Sequence, residues 1–239
     1  LPGQPPLYIS LFLFFPLLYL CAMRKKVVLY GLFFVVLLGC YLFFAFAGTD
    51  EWKTKMSVIS TVKPFSFTTQ DGQPFTERDM QGKVCVVEYF FTTCKGICPQ
   101  LNSNMKQVYE KFRKNPSFLI VSHTCDPERD SVAQLKRYSD SLQIDNNKWV
   151  FLTGRKDSLY NQARSSYLLD DPKNGLANIN DQFIHTQFFA LVDKTGKVRG
   201  QVFDGLKKDE IEKMEKSIQA LLEENPGAQK PFANNLFNN

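Results

Sequence analysis

The stretch Lys83-Val-Cys-Val-Val-Glu-Tyr-Phe-Phe-Thr-Thr-Cys-Lys-Gly-Ile-Cys-Pro99 decides the fold. Lys83–Phe91 is a β-branched and aromatic run, the pattern of a central strand buried on both faces. The run passes directly into Cys94 and Cys98, with Gly96 between them permitting a tight path. Beyond the cysteines, Asn102–Lys114 carries Met105, Val108, Tyr109 and Phe112 at the spacing of one helical face. The core unit is therefore a strand, a loop holding two thiols, and a helix.

The flanking sequence extends the unit in both directions. Downstream, Ser117–Ser122 reads as a second buried strand, followed by His123-Thr-Cys-Asp-Pro-Glu-Arg-Asp130. Ser131–Leu142 is predicted as a helix with Val132, Leu135 and Tyr138 inward, Trp149–Leu152 as a strand and Asp157–Leu168 as a helix. Thr186–Val192 and Lys197–Phe203 flank the tight turn Asp193-Lys-Thr-Gly196, and Lys208–Asn225 is a closing amphipathic helix. Upstream, Phe65–Thr69 and the segment from Gln70 to Phe75 make a short hairpin about Asp71-Gly72. Strand, helix, strand, helix, hairpin and final helix is the thioredoxin order. The expected class is α/β, a central mixed sheet flanked by helices, with the early hairpin and the piece between Trp149 and Asp181 as additions. Reactive groups in such a sheet gather beyond the carboxyl ends of the parallel strands, where Cys94, Cys98, His123 and Cys125 fall.

The first fifty residues differ in kind. Val27–Ala47 is an uncharged apolar run of about 21 residues, close to what a helix needs to cross a bilayer. Arg24, Lys25 and Lys26 before it should stay cytoplasmic and place the rest outside. The expected location is the bacterial inner membrane, with one anchor helix and the soluble part on the periplasmic side. A cleaved signal is a rival, and so is a lipoprotein acylated at Cys40, against which the apolar run Tyr41–Ala47 speaks. Met23-Arg-Lys-Lys resembles an ordinary start, which would make 1–22 an upstream extension; the alternative is an extra apolar segment, Leu7–Met23, broken by Pro16. The expected organisation is then an anchor at 27–47, a linker at 48–63, the folded domain at 64–225 and a loose tail at 226–239. The net charge of +5 owes much to the Arg24–Lys26 cluster, and no Lys/Arg stripe with interleaved aromatics supports nucleic-acid binding.

The six cysteines divide by context. Cys21 and Cys40 lie in apolar segments, and Cys85 sits inside the central strand as a small core residue. Cys94 and Cys98 stand before a helix N-terminus, whose unpaired N–H groups favour thiolates. Such a pair forms a disulfide or holds a soft metal. Of the two histidines, His185 precedes the strand expected beside the central one and is the natural third ligand. Two thiolates and an imidazole suit Cu(I), and added oxygen ligation extends the site toward Cu(II); zinc would want a fourth ligand. His123 and Cys125 are expected to shape the rim rather than to touch the metal.

Together these motifs resemble the Sco/SenC family of copper-handling proteins. The resemblance runs from about Phe65 to Leu222 and rests on Tyr89-Phe-Phe-Thr-Thr-Cys-Lys-Gly-Ile-Cys-Pro99, Val121-Ser-His-Thr-Cys-Asp-Pro-Glu-Arg-Asp130, Trp149-Val-Phe-Leu-Thr-Gly154, and His185 followed by Phe188-Phe-Ala-Leu-Val-Asp-Lys-Thr-Gly196. It implies a tethered thioredoxin-like domain that delivers copper to the binuclear copper site of cytochrome c oxidase subunit II, or keeps that site's cysteines reduced. The family's metal cysteines fall on Cys94 and Cys98 and its histidine on His185. Two positions depart from the pattern. Lys95 and Gly96 stand where the family often has Pro-Asp, and Cys125 stands where an apolar residue is common. The expected function is a copper metallochaperone, with cytochrome oxidase subunit II or another copper acceptor and a thiol reductant as partners. The alternative is a thiol–disulfide reductase in which Cys94 attacks and Cys98 resolves. A peroxidase lacks a dedicated constellation, and a redox-inert module leaves the thiols without a task.

Overall fold

The computed structural model describes residues 25–43, 56–174, 178–179, 182–184 and 186–224. Helix α1, Lys25–Phe43, has 19 residues and none of its apolar window is buried; by length and composition it is able to cross a membrane. It is described by itself. Residues 56–224 belong to a separate compact unit.

Among the described residues, that unit is built on a nine-stranded mixed sheet. Strands β4 (Val84–Phe90), β5 (Phe118–Thr124) and β6 (Trp149–Thr153) are buried at every position, as the continuous apolar runs predict. They pair in parallel, with Val87 opposite Val121 and Val121 opposite Val150, so all three end at one edge of the sheet. Strand β7 (Phe188–Val192) runs antiparallel to β4, with Ala190 opposite Val87. It therefore enters the sheet at the end from which β4 leaves. The hairpin β2 (Ser66–Thr69) and β3 (Pro74–Thr76) caps one side beyond β6, turning at Gly72 with φ +75. On the other side lie β1 (Val58–Thr61), β8 (Lys197–Arg199) and β9 (Phe203–Asp204).

Side chains alternate between two cores. Cys85, Val87, Tyr89, Leu119 and Val121 face a core closed by Met80, Tyr160 and Tyr167. Val84, Val86, Phe90, Phe118 and Ile120 face α2 (Cys98–Phe112), α3 (Val132–Leu142) and α5 (Lys208–Glu223). Helix α2 buries Leu101, Met105, Val108 and Phe112 there, each stabilising the fold by about 1.5–3 kcal/mol. Helix α4 (Lys156–Gln162) runs on through a wider turn, Ala163–Tyr167, which covers the helical stretch expected at Asp157–Leu168. The single strand expected over Lys197–Phe203 is broken in two around Gly200, which takes φ +76.

Candidate metal centre

The chain leaves β4 at Phe90 and turns through residues 91–97 before α2 begins. One buried carboxylate fixes that turn. Asp130, 0% exposed, accepts hydrogen bonds from Thr92 Oγ1 at 2.5 Å, Thr92 N at 3.2 Å and Thr124 Oγ1 at 2.5 Å. Gln134 Nε2 adds a bond to Thr92 Oγ1 at 3.2 Å. The last residue of Asp126-Pro-Glu-Arg-Asp130 thus ties the loop after β4 to the end of β5. The motif is visible in the sequence, but this task for it is not.

Helix α2 starts at Cys98, with Pro99 in its first turn and no side-chain cap at Ile97. Pro99 has no N–H and those of Gln100 and Leu101 donate to Ile97 O, so the Cys98 N–H is the one in that turn that serves the thiol in front of it. Cys94 is half-buried, and burial alone would raise its pKa. Hydrogen bonds from the Cys98 thiol and from the backbone N–H groups of Cys98, Gly96 and Ile97 outweigh burial and hold the Cys94 thiol below its ordinary range. Cys98 is the opposite case. It is 6% exposed, and burial first, then the neighbouring Cys94, push its pKa up to about 12. One sulfur ionises the more readily; the other sits beneath it and donates its proton to the bond between them. Lys95 points to solvent.

Under Cys98 lies a polar chain that sequence reasoning missed. Glu88 is 2% exposed in the middle of β4 and accepts a hydrogen bond from Ser122 Oγ at 2.6 Å, which in turn accepts one from Trp149 Nε1 at 2.8 Å. Burial pushes the Glu88 carboxyl up to about 7 despite the bond from Ser122. Its charge helps to raise the Cys98 thiol and the Tyr138 hydroxyl. A glutamate inside an otherwise apolar strand was the available signal.

His123 and Cys125 are not rim groups. Strand β5 continues to Thr124, so His123 is a strand residue opposite Tyr89 and 0% exposed. Its ring stacks on Tyr89 at 5.0 Å and is boxed by Phe65, Phe67 and Tyr167. Neither ring nitrogen has a partner, and burial lowers its pKa to about 3. Cys125 is 2% exposed, donates to Phe90 O at 3.2 Å, and burial raises its pKa. Cys85, 0% exposed, is the core residue expected. Cys40 is exposed on α1, and Cys21 lies outside the described residues.

His185, the expected third ligand, also lies outside the described residues. Its neighbours bracket it: Ile184 is buried, and β7 begins at Phe188. Among the described residues, no group of three His, Cys, Asp or Glu side chains is placed to hold a metal ion. The described part of the centre is the Cys94/Cys98 pair.

Comparison with known proteins bears on this arrangement. The SCO1 protein homolog of Bacillus subtilis is 31% identical over 172 residues, 70% of this chain and 82% of that protein. BsSco, a member of the Sco family of cytochrome c oxidase assembly proteins in which a disulfide switch is identified, superposes with TM-score 0.58 at 27% identity, over 70% of this chain and 96% of its own. Arabidopsis thaliana ScoI, solved with copper bound, shares the fold at TM-score 0.54 and 23% identity, over 67% of this chain and 99% of its own. The sequence model of SCO1/SenC matches residues 54–223, a span that takes in every strand of the sheet, the thiol loop and helices α2 to α5. A match of that extent turns the resemblance of the motifs into membership: the chain belongs to the SCO1/SenC family.

Proposed function

We propose that this protein is a copper metallochaperone that takes its cargo on Cys94, Cys98 and His185 and passes it to a copper acceptor during cytochrome c oxidase assembly. Membership of a family of thioredoxin-like, copper-binding proteins associated with that assembly supports the reading. That membership is the observation that carries copper ahead of its rival, and the geometry that would serve it is the asymmetry of the thiol pair. Cys94 meets Cu(I) as a half-exposed thiolate, and Cys98 gives up its proton as the second sulfur closes on the ion. His185 lies three residues before Phe188, where β7 enters the sheet beside the end of β4. An imidazole there completes a low-coordinate site suited to Cu(I). A partner thiolate removes the ion by ligand exchange, for which a site of few ligands is favourable. The acceptor is subunit II of cytochrome c oxidase or another copper-accepting protein. The anchor holds the domain on the extracytoplasmic face of a bacterial inner membrane.

The test is a Cu(I) competition titration of the reduced full chain in detergent, against His185→Ala. Tight one-to-one binding that weakens about tenfold or more, about 1.4 kcal/mol, is expected. Binding that is weak, or indifferent to His185, removes the copper reading.

The same thiol asymmetry favours a second reading, a thiol–disulfide reductase. Cys94 attacks a partner disulfide and Cys98 then displaces the partner from the mixed disulfide. This chemistry has no need of His185. Trapping a mixed disulfide in Cys98→Ser while Cu(I) binding is weak would favour it over the chaperone.

A further inference from the structure

A groove of about 580 Å³ opens at Cys94 and Cys98 and runs along the seam of α2 and α3, walled by Phe91, Tyr138 and Leu142 and reaching Lys106. We propose that this groove docks an extended, acidic segment of the protein that exchanges copper or a disulfide with the two thiols. The proposal rests on the functional reading above and adds the chemistry of the partner.

Two observations shape the occupant. The first is charge. No carboxylate lines the groove, and its one cationic side chain is Lys106. Lys106 Nζ donates to the carbonyl oxygens of Leu142 and Gln143 and lies over the Tyr109 ring, all uncharged groups, so the ammonium has no carboxylate partner among the described residues. The second is length. From Cys98 to Lys106 the helix rises about 12 Å, at ~1.5 Å per residue. Extended chain covers that in about four residues at ~3.3 Å each. The partner should therefore carry a carboxylate about four positions from its reacting cysteine.

The test uses the reduced full chain in detergent and short peptides whose cysteine carries a 2-pyridyl disulfide. Four positions from the cysteine, on one side or the other, stands glutamate or lysine. The Cys94 thiolate attacks the peptide sulfur, a Cys94–peptide S–S bond forms as the bond to the pyridyl sulfur breaks, and 2-thiopyridone leaves with the electron pair. For one placement, the glutamate peptide should react about fivefold faster than the lysine peptide at low salt. That preference should vanish at high salt and in Lys106→Gln. Activated N-acetylcysteinamide, too short to reach Lys106, should react equally with both proteins. Equal rates for glutamate and lysine peptides at both placements overturn the groove and leave the copper reading intact. Failure of Cu(I) binding overturns the copper reading and leaves the groove to its own result. Fluorescent peptides with serine for cysteine give a measure free of thiol chemistry: anisotropy should show tighter binding of the glutamate form to wild type only. Should they fail to bind while the chain self-associates through α2 and α3, the occupant is a second copy and the proposal falls.

Discussion

Replacing His123 with phenylalanine should change how stability responds to acid, with a sign set by burial. The imidazole is 0% exposed among aromatic rings with both nitrogens unpaired, and its pKa falls from an ordinary 6.5 to about 3. Between those values the unfolded chain takes up a proton that the folded chain refuses. Stability from this group is complete above pH ~6.5 and is lost as pH falls toward ~3, at about 1.4 kcal/mol per pH unit and about 5 kcal/mol in all. Glu88 works in the opposite direction. Its folded pKa is about 7 against an ordinary 4.5, so the folded chain holds the extra proton. Its contribution is complete below pH ~4.5 and is lost as pH rises through ~7, about 3 kcal/mol in all. Between pH ~4.5 and ~6.5 the two slopes cancel, which leaves the wild type nearly flat there and falling steeply in more acid. His123→Phe removes one arm, so stability should climb by about 3 kcal/mol as pH drops from ~7 to ~4.5. Glu88→Gln removes the other, and its stability should fall from pH ~6.5 downward. Urea midpoints of the full chain at closely spaced pH values read out both profiles. If the His123→Phe curve runs parallel to wild type across the flat interval, the burial argument is refuted.

Asp130→Ala leaves Thr92 N, Thr92 Oγ1 and Thr124 Oγ1 without their acceptor, and should cost about 2–4 kcal/mol in urea unfolding, with Asp130→Asn nearer wild type. The same variant should lower the discrimination between the two thiols, because the loop carrying Cys94 is released from β5. In the wild type, iodoacetamide at neutral pH should label Cys94 well ahead of Cys98, Cys85 and Cys125, as mass mapping would show. Cys98→Ala removes the thiol donor to Cys94 and should raise the pH midpoint of Cys94 alkylation; an unchanged midpoint would count against the hydrogen-bonded pair.

The parallel strands and the thiol loop are legible because a continuous apolar run that ends at thiols fits a buried strand leading into a reactive loop and little else. What escapes has weak local signals. Strand β1 is the edge strand, exposed at three of its four residues and paired among the described residues with β8 alone, so Val58–Thr61 carries no burial pattern to distinguish it from a polar lead-in. Apolar spacing predicts helix α2 from Asn102, yet it begins at Cys98; Pro99 in the first turn is the start signal that periodicity alone does not register. His123 reads as a rim group because a polar His-Thr pair looks like a strand end. The aromatic rings that enclose it come from β2, β4, the segment at Phe65 and the turn at Tyr167, which converge only in the fold. Glu88 and Asp130 are the same lesson in carboxylates: their partners lie on neighbouring strands and loops.

The electrostatics of the pair come from architecture more than from neighbouring charge. The three backbone N–H groups that lower Cys94 belong to the loop and the first turn of α2, and the depth that raises Cys98 belongs to the packing of α2 on β4. Neither depends on an acidic residue between the cysteines, so Lys95 and Gly96 in place of Pro-Asp leave the asymmetry standing. An asymmetric dithiol serves both chemistries raised above, since a half-buried thiol that ionises readily over a buried one that does not is equally a soft-metal donor and an attacker with its resolver in reserve. The thiols therefore cannot choose between copper transfer and disulfide reduction. The choice falls to a group that matters to one chemistry alone; on the proposed reading that group is His185, and its removal, rather than that of either cysteine, is expected to separate the two functions.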